Sequence, residues 1–557
     1  CKAHESITFF KDEELHFSVS EELKNNPDYI KARGIIKDAE TFDAEFFGIS
    51  PIMAEVMDPQ QRKFLEVAWE CFEDAGYSPT NARGLIGVYA GVGNNTYYLN
   101  NVLKRCDKVE LVGDFQAMVL NEKDYIATRT AFLLNLKGPA VSIFTACSTS
   151  LAAIAMASES LRLGNCRMAL AGGASITSPI HSGYLYNEGG MLASDGHCRP
   201  FDAAATGTTF NDGVGCLLLK RYEDALADND HIYAVIKGVG MSNDGADKAS
   251  FTAPGVTGQA TTIRLAQHNG GIDPNLLGYI EAHGTATPIG DPIEVEALVN
   301  ACQGMEKQSC FIGSVKSNIG HLTPAAGVAG AIKTALILKH KTIPPTLHFK
   351  RPNPNLQLNQ TPFKINTELY AFPESKKYAG VSSFGVGGTN VHLVLEQAAE
   401  RKSNQAQDSV NLFVLSAPNT HNLSEMPQRL AAHLRSQAKI NLNDVAFTLL
   451  TGRQHFDNRY VAVGSSDSLL ETLNGNNGNA FTGKKLEKVH GIVFMFPGQG
   501  SQYPGMGKDL YEHEEVFRQW IDDCSSKLLG LLGKDIRELM FAPQSSENEA
   551  VLKETQY

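Results

Sequence analysis

The sequence predicts an α/β protein built in layers, and three observations carry that expectation. From about Phe42 to Glu396, short apolar and β-branched runs alternate with amphipathic stretches, as layered sheets and helices require. Several of the strand-like runs lead through a turn rich in small residues directly into a helical pattern. The chain has 557 residues, more than one hydrophobic core usually supports, so two or three domains are expected.

Taken in chain order, Pro59–Ala75 reads as a helix, Leu85–Gly91 and Ala140–Thr145 as strands, Ser148–Gly164 as a helix, and Met168–Gly172, Gly215–Lys220 and Tyr233–Val239 as strands. Thr257–His268 reads as a helix, Gly278–Ala282 as a strand, Ile293–Val299 as a helix, Phe311–Ser314 as a strand, Ala325–Leu338 as a helix and Tyr378–Ser382 as a strand. Pro344, Pro345, Pro352 and Pro354 exclude a helix or central strand there and predict an extended surface loop. The polar run Ala398 to Ser409 reads as a boundary. Beyond it, strand Asn411–Ser416, a helix to about Leu434, helix Val445–Leu450 and strand Arg459–Val463 predict a small α/β piece that ends at the loop Asn474–Asn479. A third unit opens with a strand-like run, Ile492–Phe496, and Pro497-Gly498-Gln499-Gly500-Ser501-Gln502. The expected division is 1–396, 397–488 and 489–557. Cys1 in place of a Met, and Tyr557 so soon after a new strand, read as cuts in something longer.

Composition narrows the function. The net charge is -12, with 49 basic against 61 acidic residues, which argues against nucleic acid or an anionic membrane surface as partner. No apolar stretch reaches the roughly 18–20 residues that span a bilayer, and the opening segment is too charged for a signal peptide. The ten cysteines form no CxxC pair, so neither a zinc site nor a disulfide framework is indicated, and reduced thiols in the cytoplasm are the natural reading.

Four segments could do chemistry. In TACSTS, Cys147 sits where a strand turns into a helix, so helix N–H groups would lower its thiol below its free value of about 8.5. Taken alone, it could equally be one more buried thiol. His283 stands on the post-strand loop EAHGTATPIGDPIE, where a neighbour-held histidine could face a cleft or simply cap a turn. His321, in SVKSNIGHLTPAAGVAG, precedes a small-residue helix whose dipole would keep its ring neutral, with Lys316 close by or merely solvated. The glycines of SSFGVGGTN could converge backbone N–H groups on one point, or make a tight turn. One cysteine and two histidines on post-strand loops are more specific together than any of them alone.

These motifs, with FFGISP at Phe46–Pro51, MDPQQR at Met57–Arg62 and LKGP at Leu136–Pro139, resemble those of the β-ketoacyl synthases in the order found in type I polyketide and fatty acid synthases. The resemblance covers nearly all of 1–396; the family's opening strand is missing. Residues 411–488 resemble the linker domain between ketosynthase and acyltransferase, and Phe496–Gln502 the opening of that acyltransferase, whose catalytic serine would lie beyond Tyr557. The resemblance implies the thiolase fold, five layers α-β-α-β-α in two similar halves, followed by the small α/β linker domain.

It also implies roles. Cys147 would carry the acyl chain, and His283 and His321 would bind the extender thioester and promote its decarboxylation. Lys316 would position the histidine loop, Thr285 and Thr287 would lie near the pantetheine arm, and N–H groups of Cys147 and of Phe384–Gly385 would hold the oxyanion. Gln499 matches an oxyanion-stabilising position of the acyltransferase. No bound cofactor or metal is implied, because a thioester stabilises its own enolate. The substrates would ride on the phosphopantetheine of an acyl carrier protein. Partners would be that carrier, a second copy in a homodimer, and other domains of the same synthase. A degradative thiolase would use a second cysteine as base, and a non-elongating ketosynthase typically lacks the HGT histidine, which is present as His283. Phe144 stands where many relatives have a polar residue, which could alter the pocket floor.

Overall fold

The computed structural model describes residues 3–399, 410–437, 440–465, 468–475, 478–486, 491, 493–498 and 500–552. The described chain divides into two compact units, 1–485 and 486–557. Only the longer elements of the first unit that bear on the site, and those of the small α/β piece, are numbered below.

The first half is built on β1 (Ile86–Val92), β2 (Ala140–Ser142), β3 (Met168–Ser175) and β4 (Gly213–Lys220), in the order β2-β1-β3-β4. β1 runs parallel to β2 and β3, and β4 closes the sheet antiparallel. The second half has six strands: β5 (Ala234–Asn243), β6 (Leu277–Glu281), β7 (Cys310–Gly313), β8 (Phe363–Lys364), β9 (Tyr378–Phe384) and β10 (Thr389–Gln397), ordered β8-β7-β6-β9-β10-β5. β6, β7, β8 and β9 are parallel, and β9 turns back into β10 as a hairpin.

Side-chain alternation along these strands decides the layering. On the outer face of the first sheet, Ile86, Val88, Ala90, Met168 and Leu170 pack under α1 (Pro59–Asp74) and α2 (Ile126–Leu133). On its inner face, Tyr89, Ala169 and Ala171 meet α3 (Thr149–Arg162). α4 (Val256–Gly270) and α5 (Gly290–Ala301) cover the outer face of the six-stranded sheet through Ile263, Ala266, Val295 and Leu298. Its inner face meets α6 (Ala326–His340) through Tyr279, Val381, Val391 and Leu393. α3 and α6 thus form a middle layer between two sheets, which gives the five-layered α-β-α-β-α thiolase architecture in two similar halves.

The middle layer is crowded, and its sequence shows why. A side chain at Gly327 would come within 2.6 Å of the Leu151 side chain, so α6 can approach α3 this closely only through glycine. The two helices are tied at that point by the Val328 N–H, which donates to Ser150 Oγ at 2.9 Å.

The small α/β piece forms its own core around Phe413, Ala431, Leu434 and Ala462. There α7 (Thr420–Ser436) and α8 (Leu442–Thr451) lie against the antiparallel sheet β11 (Asn411–Ala417), β12 (Asn458–Gly464) and β13 (Ala480–Lys484). Most of the expected boundary, 400–409, and Gln499 lie outside the described residues. The shorter unit is mainly helical, its longest helix being Glu515–Leu532. The strand expected over Ile492–Phe496 does not form: Ile492 is outside the described residues, and Val493, Phe494, Met495 and Phe496 are irregular and 77–89% exposed. A β-strand exists only against a partner backbone, and the described residues offer this run none. No helix among the described residues is long and apolar enough to cross a membrane.

Candidate active site

The Cys147 turn lies three residues beyond β2. Ala146, in the left-handed region at φ 53°, swings the chain into the short 3-10 turn Ala146–Ser148 and then into α3. Such a conformation is costly for a residue with a Cβ, and its neighbours hold it in place. The Ser148 Oγ donates to the Thr145 carbonyl at 2.8 Å, the Thr145 N–H donates to Thr149 Oγ1 at 2.9 Å, and Ser383 Oγ donates to the Cys147 carbonyl at 2.9 Å. Gly385 is required here because a Cβ on it would stand 2.2 Å from the Thr145 carbonyl oxygen. Cys147 is 7% exposed.

Burial pushes the Cys147 thiol up, against the charge of Lys316 and the N–H groups of Val386 and of Cys147 itself, which pull it down. The lowering expected from the helix N-terminus is therefore overridden, because desolvating a thiolate costs more than the N–H groups return. The hairpin turn also corrects the oxyanion expectation. The Gly385 N–H is taken by the Thr389 carbonyl at 2.9 Å, and the N–H that reaches the thiol belongs to Val386.

His283 and His321 follow the adjacent parallel strands β6 and β7, so both loops emerge at the same sheet edge. Their ring centroids are 5.3 Å apart at 87°. Phe384, one residue beyond the Ser383 that holds Cys147, packs its ring 5.7 Å from His283. Burial and the nearby Lys316 charge keep both imidazoles well below their usual pKa, so they are neutral. For His321 the cause is burial first, not the helix dipole: the ring is completely buried. The Thr323 N–H donates to His321 Nδ1 at 3.1 Å, which fixes the proton on Nε2. That Nε2, like His283 Nδ1, is buried without a partner among the described residues.

Lys316 is buried, not solvated, and donates to the His283 carbonyl at 2.5 Å. Its own pKa is lowered by burial, with Glu281 and Glu294 opposing. Thr285 and Thr287 lie partly exposed on the His283 loop with hydroxyls 3.4 Å apart, and Thr287 Oγ1 accepts the Gly290 N–H at 3.0 Å. Phe144 is 38% exposed with Lys123 Nζ 5.2 Å above its ring.

Sequence reasoning missed the carboxylates that shape these loops. Glu294 accepts the N–H groups of His283 and Gly284, both at 2.7 Å, and Asp291 accepts those of Ala286 and Phe201 at 3.0 and 2.7 Å. Burial pushes both acids up to about 7. Glu281 accepts from the Val315 N–H at 2.5 Å and pairs with Lys333 at 2.8 Å, pinning the Lys316 loop. A signal was present: Asp291, Glu294 and Leu298 share one face of α5 at i, i+3 and i+7, so two acids stand on a helix's core side.

Comparison with known proteins agrees with this geometry. Residues 1–225 match the model of the β-ketoacyl synthase N-terminal domain and 233–350 that of its C-terminal domain. Residues 352–463 match the ketoacyl-synthetase C-terminal extension, and 493–554 the acyl transferase domain. The chain is 39% identical over 578 residues to a phenolphthiocerol/phthiocerol polyketide synthase of Mycobacterium tuberculosis, covering 99% of this chain and 39% of that protein. It is 39% identical to an erythronolide synthase of Saccharopolyspora erythraea over 89% of this chain and 16% of that one. The chain thus spans well under half the length of these curated relatives. Among solved structures, ketosynthase twelve of the bacillaene polyketide synthase of Bacillus amyloliquefaciens superposes with TM-score 0.79 at 38% identity, covering 87% of this chain and 86% of that one. The ketosynthase from module 1 of the bacillaene synthase of the same species gives 0.77 at 36%, covering 89% and 87%.

Proposed function

The chain belongs to the β-ketoacyl synthase family, as a ketosynthase of the modular polyketide type, and from that premise we propose that it performs decarboxylative condensation in polyketide chain elongation. The observation that carries this reading is the convergence of a buried cysteine, two neutral imidazoles and a buried lysine around one hairpin turn.

In the first half-reaction, the Cys147 thiolate attacks an acyl thioester on a carrier protein. A new C–S bond forms at Sγ while the Cys147 and Val386 N–H groups hold the passing oxyanion; the carrier's C–S bond then breaks, and the departing phosphopantetheine sulfur takes up the proton that the Cys147 thiol has given up. A malonyl-type thioester then enters past Thr285 and Thr287. His321 Nε2–H donates to its carbonyl, and His283 lies beside the same oxygen. Loss of carbon dioxide leaves the C–C electron pair as an enolate, whose charge these donors stabilise. The enolate carbon attacks the Cys147 thioester; the new C–C bond forms, the C–S bond breaks and Cys147 is released as thiolate. Neutral rings suit this step, because an imidazolium would hand over its proton and quench the enolate as an enol. Lys316 acts through position, holding the His283 carbonyl and biasing both rings to neutrality.

The domain division 1–396, 397–488 and 489–557, the carrier protein as partner, a homodimer and a cytoplasmic setting belong to the same reading. The edge position of β2 and the exposed Phe132 favour pairing with a second copy. Intact-mass measurement after incubation with acyl thioesters tests the proposal. A single acyl adduct that vanishes in Cys147→Ala, with malonyl-carrier decarboxylation lost in His283→Ala and His321→Ala, is expected. An adduct that survives Cys147→Ala sinks the nucleophile.

A further inference from the structure

Away from the Cys147 site, one cluster of ligand-bearing side chains has no role in the chemistry above. Glu5, His197 and His348 come from three segments far apart in sequence, and one ligand atom from each lies within 4.8 Å of the other two. His197 Nδ1 stands 2.9 Å and His348 Nε2 stands 2.8 Å from the same oxygen, Glu5 Oε1. The imidazole planes cross at 61° with centroids 5.0 Å apart, so the two nitrogens approach that oxygen from different directions, as corners of a polyhedron do. Phe9 covers one side of His197 at 5.0 Å. The three side chains are 19–29% exposed, so water can reach the group.

We propose that Glu5, His197 and His348 form a three-ligand site for a divalent cation of the zinc class, with water as fourth ligand. The donor set is right for such an ion: two imidazole nitrogens and one carboxylate are borderline ligands that select zinc, cobalt or nickel over magnesium or calcium. Zinc bonds of about 2.0–2.1 Å put tetrahedral ligand atoms about 3.3 Å apart, so the two Glu5–histidine spacings of 2.9 and 2.8 Å have to open by about half an ångström, while the two histidine nitrogens already lie within 4.8 Å of each other. The other use of the cluster is a carboxylate bridging two imidazole N–H donors. That arrangement binds no ion, and a titration tells the two apart.

The consequence would be mechanical. The segment that carries Glu5 grips the loop that carries Lys316: the Ser6 N–H donates to the Asn318 carbonyl at 2.8 Å, and Asn318 Nδ2 donates to the His4 carbonyl at 3.0 Å. A cation at Glu5 would clamp this segment against the His197 and His348 loops and so stiffen the backing of the Lys316 loop.

The test is titration of the full chain, freed of any affinity tag, with Co(II) and then Zn(II). One equivalent of Co(II) is expected to give tetrahedral visible bands with no thiolate charge-transfer band. Glu5→Gln, His197→Ala and His348→Ala should each weaken binding at least tenfold, while Zn(II) raises the unfolding temperature of wild type alone. Acylation of Cys147 without metal should be unchanged in all three, which establishes that they fold; if a histidine variant does not fold, the isosteric Glu5→Gln decides. The proposal is overturned if wild type takes up no Co(II) beyond what the Glu5→Gln or double-histidine variant takes up, or if the bands carry thiolate charge transfer and survive those substitutions.

Discussion

The two halves of the ketosynthase meet at helices of the same kind and load them differently. In the first half, three residues (143–145) separate β2 from the 3-10 turn that leads into α3. In the second, nine residues (314–322) separate β7 from the matching turn Thr323–Ala325 that leads into α6. The short connection leaves no room for anything but a tight turn, which presents one thiol to two backbone N–H groups. The long connection has room for a helical turn, Lys316–Ile319, which drives a lysine inward before the chain reaches His321. In the proposed reaction one frame thus holds the acyl acceptor, Cys147, on its short arm and an enolate-stabilising donor, His321, on its long arm. Burial acts on both arms with opposite results: it raises the thiol and lowers the imidazoles, so each group is kept neutral until substrate arrives.

This division of labour can be broken experimentally. The largest effect is expected from the arms themselves. Cys147→Ala should abolish acyl loading, whereas His321→Ala should load normally and lose about 10²–10⁴-fold in condensation, the usual worth of a positioned proton donor. Equal loss of loading in both variants would show that the arms do not act separately. Next comes the contact between the halves. Gly327→Ala forces a methyl against Leu151 and should lower stability by about 1–3 kcal/mol in denaturant titration, with the slope unchanged.

Lys316→Met probes a residue whose charge acts on both arms. Removing its charge raises the Cys147 thiol further, so iodoacetamide should alkylate it about tenfold more slowly at pH 8, a change worth about 1.4 kcal/mol. An unchanged rate would mean that the lysine serves the histidine arm only. The smallest effect concerns Glu294. Its pKa rises from 4.5 unfolded to about 7 folded, so the folded state holds a proton that the unfolded state has already lost. The associated stability is complete below about pH 4.5 and is lost as pH rises towards 7. Unfolding free energies measured between pH 5 and 8 should therefore fall less steeply in Glu294→Gln than in wild type. Parallel slopes would contradict the burial account.

Much of this was legible in the sequence, for identifiable reasons. Strands such as β1, β3 and β6 are short apolar runs bounded by turns, and α3 and α6 follow small-residue turns, so local pattern and tertiary role coincide. Cys147, His283, His321 and Lys316 are readable because each interrupts such a pattern just after a strand. β10 is harder: Asn390 and His392 break its apolar run, and their side-chain partners come from elsewhere in the fold, Asp244 with Asn390 Nδ2 at 2.6 Å and Ser382 with His392 Nδ1 at 2.9 Å. The Val386 N–H was illegible because every residue carries one; its direction comes from the turn. The thiol's raised pKa was misjudged because a sequence shows the helix that follows Cys147 but not the depth at which it is buried.

Two of the carboxylates behind the histidine loops grip main chain and not side chains. Glu294 and Asp291 each hold two amide N–H groups, and Lys316 and Ser383 each hold a carbonyl oxygen. Amides and carbonyls are the same whatever residue bears them. The posture of these loops therefore depends little on the identity of neighbours such as Thr285 and Val386. Those positions are free to drift with the shape of the acyl group without disturbing the reacting atoms, which is how one catalytic apparatus can be retuned to a succession of different chains.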